Sequence, residues 1–276
     1  MARRTKLIFL SAGLLAAALY FFWSPPAPET FSPAMISSSL PPQPKWSIPD
    51  PTPEEANNLH EILSQKFTMI GEGEQAVAFE SADKKYVLKV FKMSRFMPSF
   101  TDQLCPHVVR RRLRNLNWLF NGYKSAFQDL RQETGLVWIH LAKTNALKQK
   151  VALVDNNGKE HLIDADAVEF VIQERAELIF DHISRLYKEG RGPEAEKALD
   201  SFYAFIQHRT DKGYMDRDKA VTYNYGFVGD RPIQIDLGRL YKRQNRKARD
   251  PQLPLERIRQ RVEEWKAEQV IEATSK

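Results

Sequence analysis

The sequence predicts an α+β fold carried behind a single N-terminal transmembrane helix. Three observations predict it. An uncharged apolar run preceded by basic residues stands near the start. Strand-like runs joined by turn residues follow it. Two long segments of helical periodicity come later, before a further hairpin. With 42% hydrophobic and 28% charged residues in a chain of 276, most of the polypeptide can close around a core.

The first element is the apolar run Leu7 to Trp23, LIFLSAGLLAAALYFFW, with Arg3, Arg4 and Lys6 before it and Pro25 and Pro26 after it. Its 17 residues lie at the lower limit for crossing a bilayer. Tyr20, Phe21, Phe22 and Trp23 are placed for the far interface. A cleaved signal peptide is the competing reading, but no small-x-small site follows the apolar run before the proline block. The segment is therefore expected to be an uncleaved signal anchor that makes the lipid bilayer a partner. The positive-inside rule puts residues 1–6 in the cytoplasm and the following domain on the outer, periplasmic or lumenal side.

Residues 24–53 are rich in proline and serine and are expected to form an extended linker. From Glu54, PEEANNLHEILSQKF predicts an amphipathic helix with an acidic first turn. AVAFES and KYVLKVFK predict two strands joined at Ala82-Asp83-Lys84. A long helical region is expected from about Arg110 to Ala142. KVALVDNNG and AVEFVIQER read as strands. ELIFDHISRLYKEG and PEAEKALDSFYAFIQHRTDKG read as helices, NYGFVGDRPIQIDLG as a hairpin, and LPLERIRQRVEEWKAEQ as a charged terminal helix. No internal repeat is present.

The single cysteine, Cys105, excludes an intrachain disulfide framework. A net charge of +6 favours anionic partners without choosing among nucleotides, lipid headgroups and nucleic acid.

The sharpest local feature is Ile70-Gly71-Glu72-Gly73-Glu74-Gln75-Ala76-Val77-Ala78-Phe79. Its glycines lie between two predicted strands, not between a strand and a helix, which argues against a dinucleotide fold. At a hairpin tip, glycines let backbone amides approach phosphate oxygens; an ordinary tight hairpin is the alternative. Lys89 lies in Tyr86-Val87-Leu88-Lys89-Val90-Phe91. An ammonium among apolar residues needs an anion, unless the strand is an edge and the lysine points to solvent.

Glycine loop, hairpin and in-strand lysine together resemble the N-terminal lobe of the protein-kinase-like superfamily. The resemblance implies that Gly71 and Gly73 cover the phosphates of ATP and that Lys89 reaches them. It implies a glutamate partner for Lys89, and Glu133 is the only glutamate between Glu80 and Glu160. Downstream, Asp236-Leu237-Gly238 resembles the Asp-Phe-Gly element that binds Mg²⁺. Met215-Asp216-Arg217-Asp218, running to Asn224, resembles a catalytic loop. The implied roles are Asp218 as catalytic base, Lys89 as phosphate-contacting residue, and Asn224 and Asp236 as metal ligands. Departures are plain. Ala76 replaces the third glycine, Glu74 adds an acid, the His-Arg-Asp unit is absent, and Asp218 is one residue farther from Asn224 than the motif allows.

Only 38 residues follow Gly238, and no Ala-Pro-Glu element is among them. The expected fold is thus bilobal and protein-kinase-like with a truncated C-terminal lobe, similar to the RIO-type or lipopolysaccharide-core kinases. Its N-terminal lobe is expected over 54–175, a reduced C-terminal lobe over 176–250 and the charged helix over 251–276. The basic clusters Arg110–Arg114 and Lys242–Arg249 read first as solvated surface, and second as contacts for anionic headgroups or a phosphorylated substrate. The function implied is phosphate transfer from ATP to a protein or glycolipid hydroxyl. The alternative is a catalytically dead pseudokinase acting as a nucleotide-binding or scaffold module. No nucleic acid is expected as a partner.

Overall fold

The computed structural model describes residues 31–98, 102, 105–218, 220–243 and 253–274, with side chains in the last helix described from 255 to 267. Helix α1 (Pro53–Leu63) begins with a capping box. Thr52 Oγ1 accepts from Glu55 N at 3.2 Å, and the Glu55 carboxylate accepts from Thr52 N at 3.1 Å. The chain then forms β1 (Lys66–Glu72), β2 (Ala76–Ser81) and β3 (Tyr86–Phe91) as an antiparallel meander.

Helix α2 (Pro106–Asp129) and a one-turn helix (Arg131–Thr134) lead to β4 (Leu136–His140). Next come β5 (Lys150–Val154), β6 (Glu160–Asp164) and β7 (Phe170–Glu174). These strands make one sheet in the order β4-β7-β3-β2-β1-β5-β6. The β5–β6 hairpin adds to the meander through a parallel pairing of β1 with β5.

The remainder is mainly helical. A short β8 (Glu177–Leu178) precedes α3 (Ile179–Lys188) and α4 (Gly192–Asp211). β9 (Tyr214–Asp216) follows, then a helical turn Val221–Asn224 and the hairpin β10 (Tyr225–Val228) with β11 (Arg231–Gln234). β12 (Leu240–Lys242) returns to pair with β9, and α5 (Leu253–Thr274) ends the described chain. Residues from Ser32 onward form one compact unit.

Two apolar clusters hold this together. In the first, Phe91 of β3 and Leu237 meet Leu116, Phe120 and Tyr123 of α2. Those positions fall on one helical stripe, which is why α2 lies along the sheet. In the second, Ile183 of α3 and Phe202 and Ile206 of α4 enclose Phe227 of β10 and Val262 of α5. Trp265 of α5 stacks on Phe180 with ring centroids 4.6 Å apart.

Several expectations are corrected. The expected transmembrane helix at residues 7–23 lies outside the described residues. Among the described residues no helix is long and apolar enough to cross a membrane. The longest, α2, is amphipathic and carries Arg110, Arg111, Arg112 and Arg114 in its first half. Over the described residues the fold class is therefore α+β, with no spanning helix among them. The proline-rich stretch is not merely an extended spacer. It contributes a helical turn at Pro33–Ile36, and both Ile36 and Trp46 are buried. Trp46 meets Phe120 edge-on with centroids 4.9 Å apart, an apolar gain that outweighs the extended preference of the flanking prolines. The long helical region ends at Asp129, and GLVWIHL becomes β4, because Gly135 at φ +61° turns the chain into the sheet.

Candidate active site

The site is built where the meander meets the β10–β11 hairpin. β1 runs through Gly71, and the tip closes where Gly73 N donates to Ala76 O at 2.9 Å. Neither glycine has a positive φ, and a Cβ at Gly71 would meet nothing within 4 Å. Packing therefore does not demand glycine at Gly71. The loop acids are drawn aside. Glu72 pairs with Lys92, and Glu74 reaches Arg95 at 3.3 Å and Arg239 at 3.7 Å. Gln75 lies over Gly238, where a Cβ would come within 2.3 Å of its Oε1.

Lys89 sits in an interior strand, opposite Ala78 of β2 and Val171 of β7. An edge-strand origin is thereby excluded. Its Nζ donates to Ile235 O at 2.6 Å, one residue before Asp236. Burial pushes the Lys89 pKa down to about 8, against the opposing pull of Asp236.

Asn224 and Asp236 are brought together by the backbone. The Asn224 carbonyl accepts from Ile235 N at 2.7 Å and from Asp236 N at 3.4 Å, just beyond the Tyr225–Gln234 pair of the hairpin. Asn224 is buried. Asp236 Oδ1 accepts from Gly238 N at 2.9 Å, and its carboxylate remains exposed. Among the described residues no cluster of three or more His, Cys, Asp or Glu side chains could hold a metal. The exposed Asp236 carboxylate nevertheless suits Mg²⁺, which takes few protein ligands and completes its shell with phosphate and water oxygens.

The catalytic-loop expectation divides between two carboxylates. Asp218 Oδ1 caps Ala220 N at 3.0 Å, while Asp218 N donates to Asp216 Oδ1 at 2.7 Å. Asp216 Oδ2 accepts from Gln234 Nε2 at 2.5 Å, and the same amide donates to Asp236 O at 2.9 Å. Gln234 is in turn held by the buried Arg209, whose Nη1 donates to Gln234 Oε1 at 2.5 Å and to Tyr225 OH at 3.0 Å. Burial raises the Asp216 pKa to about 6, aided by Asp218 and Asp236 and opposed by the Asp218 amide and Arg209.

Glu133 does not meet Lys89. Its carboxylate bonds Lys212 and reaches His208 Nε2 at 3.2 Å. It follows α2 in the one-turn helix, too far along the chain to return to β3. Burial opposes its ionisation, but Lys212 prevails and holds its pKa below the usual range. From α2, Tyr123 reaches the turn after Asp236. Its hydroxyl interacts with the Leu237 backbone amide, and its pKa is raised by burial and then by Asp236.

Two functional candidates escaped sequence reading, Gln234 and Tyr123; Asp216 was weighed there as base behind Asp218, and only its network was missed. Gln234 ends β11 beside the equally buried Ile233, so no alternation in that strand marks it. Nothing in the sequence marks Tyr123 apart from its place on the apolar stripe of α2.

No protein-family model matches the sequence, and no curated protein matches it significantly. Solved structures similar to it include the following three. Rv3197 of Mycobacterium tuberculosis in complex with erythromycin shows 14% identity and a TM-score of 0.30, over 72% of this chain and 54% of that one. The ROP18 kinase domain in complex with AMP-PNP and sucrose shows 18% identity and 0.32, over 71% and 63%. APH(2")-IIa in its streptomycin–ATP ternary complex shows 12% identity and 0.24, over 74% and 75%. The chain thus spans 54% and 63% of the first two. Similarity at this level leaves the assignment of function to the geometry of the chain itself.

Proposed function

We propose that the chain is a protein-kinase-like phosphotransferase that binds ATP with Mg²⁺ between the glycine hairpin and the Asp236 turn. One observation carries this reading. Lys89 projects from an interior strand onto the carbonyl before Asp236, and the Asn224 backbone holds that same turn. A buried ammonium, a carboxylate and an amide at an open glycine hairpin form a receptor for a polyphosphate.

The residues would act as follows. Gly71 and Gly73 admit the phosphates close to the backbone. Lys89 exchanges its carbonyl contact for phosphate oxygens. Asp236 and Asn224 would hold Mg²⁺, which supplies charge neutralisation on the transferring phosphate. Asp218, half-buried in the loop before Asn224, would accept the proton of a protein or glycolipid hydroxyl. The Asp216–Gln234–Arg209 network favours Asp216 as a second candidate, because Gln234 ties its carboxylate to the Asp236 strand.

A second reading is a nucleotide-binding module without turnover. It is favoured by the carbonyl partner of Lys89 where a kinase would use an acid, and by the absence of any glutamate from α2.

Thermal melting of the full chain with ATP, with and without Mg²⁺, tests the shared premise. A rise that Lys89→Ala and Asp236→Ala each remove is expected; no rise would sink both readings. Transfer of labelled γ-phosphate to the chain itself or to added acceptor then separates them, and loss of transfer in Asp218→Asn or in Asp216→Asn identifies the base.

A further inference from the structure

A cavity of ≈1270 Å³ opens beside the candidate site, and none of Gly71, Gly73, Lys89, Asn224 and Asp236 lines it. One wall is a single face of α2, where Arg111, Asn115, Trp118, Gly122 and Ser125 recur at helical spacing. The opposite wall is Arg217 with the segment from Gly238 through β12.

Its charge is one-sided. Glu74 is the sole carboxylate among its lining residues, and it is shared by Arg95 and Arg239. Arg112 and Lys242 have acidic partners in Asp102 and Asp129. Arg111 and Arg217 have none among the described residues. Arg217 is nonetheless fixed in place. Its guanidinium lies 4.7 Å from the Trp118 ring centroid and 4.8 Å from that of Tyr241, clamped between α2 and β12. Such a clamp orders the guanidinium before any anion arrives. Asn115, Asn121 and Ser125 add neutral donors and acceptors to the same wall.

We propose that this cavity binds a phosphorylated polyol. The unpaired and half-paired arginines take its phosphates, and the asparagines and serine take its hydroxyls. The volume exceeds what a lone phosphate requires. Arg217 stands between Asp216 and Asp218, so the ligand lies next to the loop that would carry the base. Its further role as phosphate acceptor rests on the phosphotransferase reading; its binding does not.

Calorimetry of the full chain with inositol trisphosphate tests this. Saturable one-to-one binding is expected, weakened roughly 10-fold or more in R111A/R217A, which loses two charge-assisted contacts. N115A/N121A should weaken inositol trisphosphate more than tripolyphosphate, which lacks hydroxyls. Absence of saturable binding, or unchanged affinity in R111A/R217A, would overturn the site. Equal losses for both probes in N115A/N121A would overturn the polyol. Cosedimentation with vesicles containing phosphatidylinositol bisphosphate distinguishes sources: capture assigns the ligand to a lipid headgroup, and free-ligand binding without capture assigns it to a soluble compound. Lys89→Ala separates the two ideas. If ATP fails to bind any form while inositol trisphosphate binds wild type and Lys89→Ala alike, the phosphotransferase reading falls and the cavity stands.

Discussion

Asp216 and Lys89 are the two side chains whose ionisation the fold shifts most usefully. Asp216 is raised to about 6 by burial, against an ordinary value near ~3.9 in an unfolded chain. Between those values the folded chain keeps a proton that the unfolded chain has released. Stability therefore falls as pH rises through that window, and the full cost is present above about 6. Asp216→Asn should match wild type below pH ~4 and exceed it by about 3 kcal/mol at neutrality; urea denaturation across this range measures the difference. Lys89 behaves in the opposite sense. Its pKa near 8 means that the fold disfavours the ammonium, so the stability cost is present below about 8 and disappears as pH rises toward the unfolded value. A phosphate beside Lys89 restores the charge. ATP binding near pH 8 should take up roughly half a proton, read from calorimetry in buffers of different ionisation enthalpy.

At the scale of elements, close approaches set the geometry of the site. Gly122 lets α2 lie against the turn after Asp236. A Cβ there would come within 3.0 Å of Leu240 O and 3.3 Å of Leu237 O, both backbone atoms that cannot swing away. Gly122→Ala should cost about 1–3 kcal/mol and weaken nucleotide binding beyond that loss, because Tyr123 and Leu237 move with the helix. Gly226 is tighter still, since its Cβ would fall 2.4 Å from Glu177 O. The β8–β10 pairing closes only over a glycine. Gly226→Ala is expected to lower the melting temperature more than Gly122→Ala, and a reversed order would show that the hairpin tolerates displacement better than α2 does.

For the whole molecule, the segment before α1 matters more than its composition suggests. Trp46 is buried against Phe120 in the same cluster that contains Leu237. Trp46→Ala should cost about 3 kcal/mol in chemical denaturation. A chain begun at residue 54 should melt below the full chain for the same reason. Equal stability of the two would mean that the segment packs without contributing.

Much of the fold was legible because period-two and helical patterns are local. AVAFES, KYVLKVFK and the NYGFV–RPIQ hairpin appear as strands β2, β3, β10 and β11, and the helices α3 and α4 lie where their apolar spacing placed them. The strand β6, EHLID, was missed because it is a half-exposed edge with few strong strand formers. By itself the sequence determined the ingredients of the candidate site: a glycine hairpin, a lysine in a strand, and an aspartate and an asparagine in order. Only the tertiary structure decided how they combine. It turned Glu133 to Lys212, placed Tyr123 on the Leu237 turn, and tied Asp216 through Gln234 to Asp236. The reason is physical: strand and helix periods follow from neighbouring residues, whereas hydrogen-bond partners from distant segments are chosen by packing, which no local pattern records.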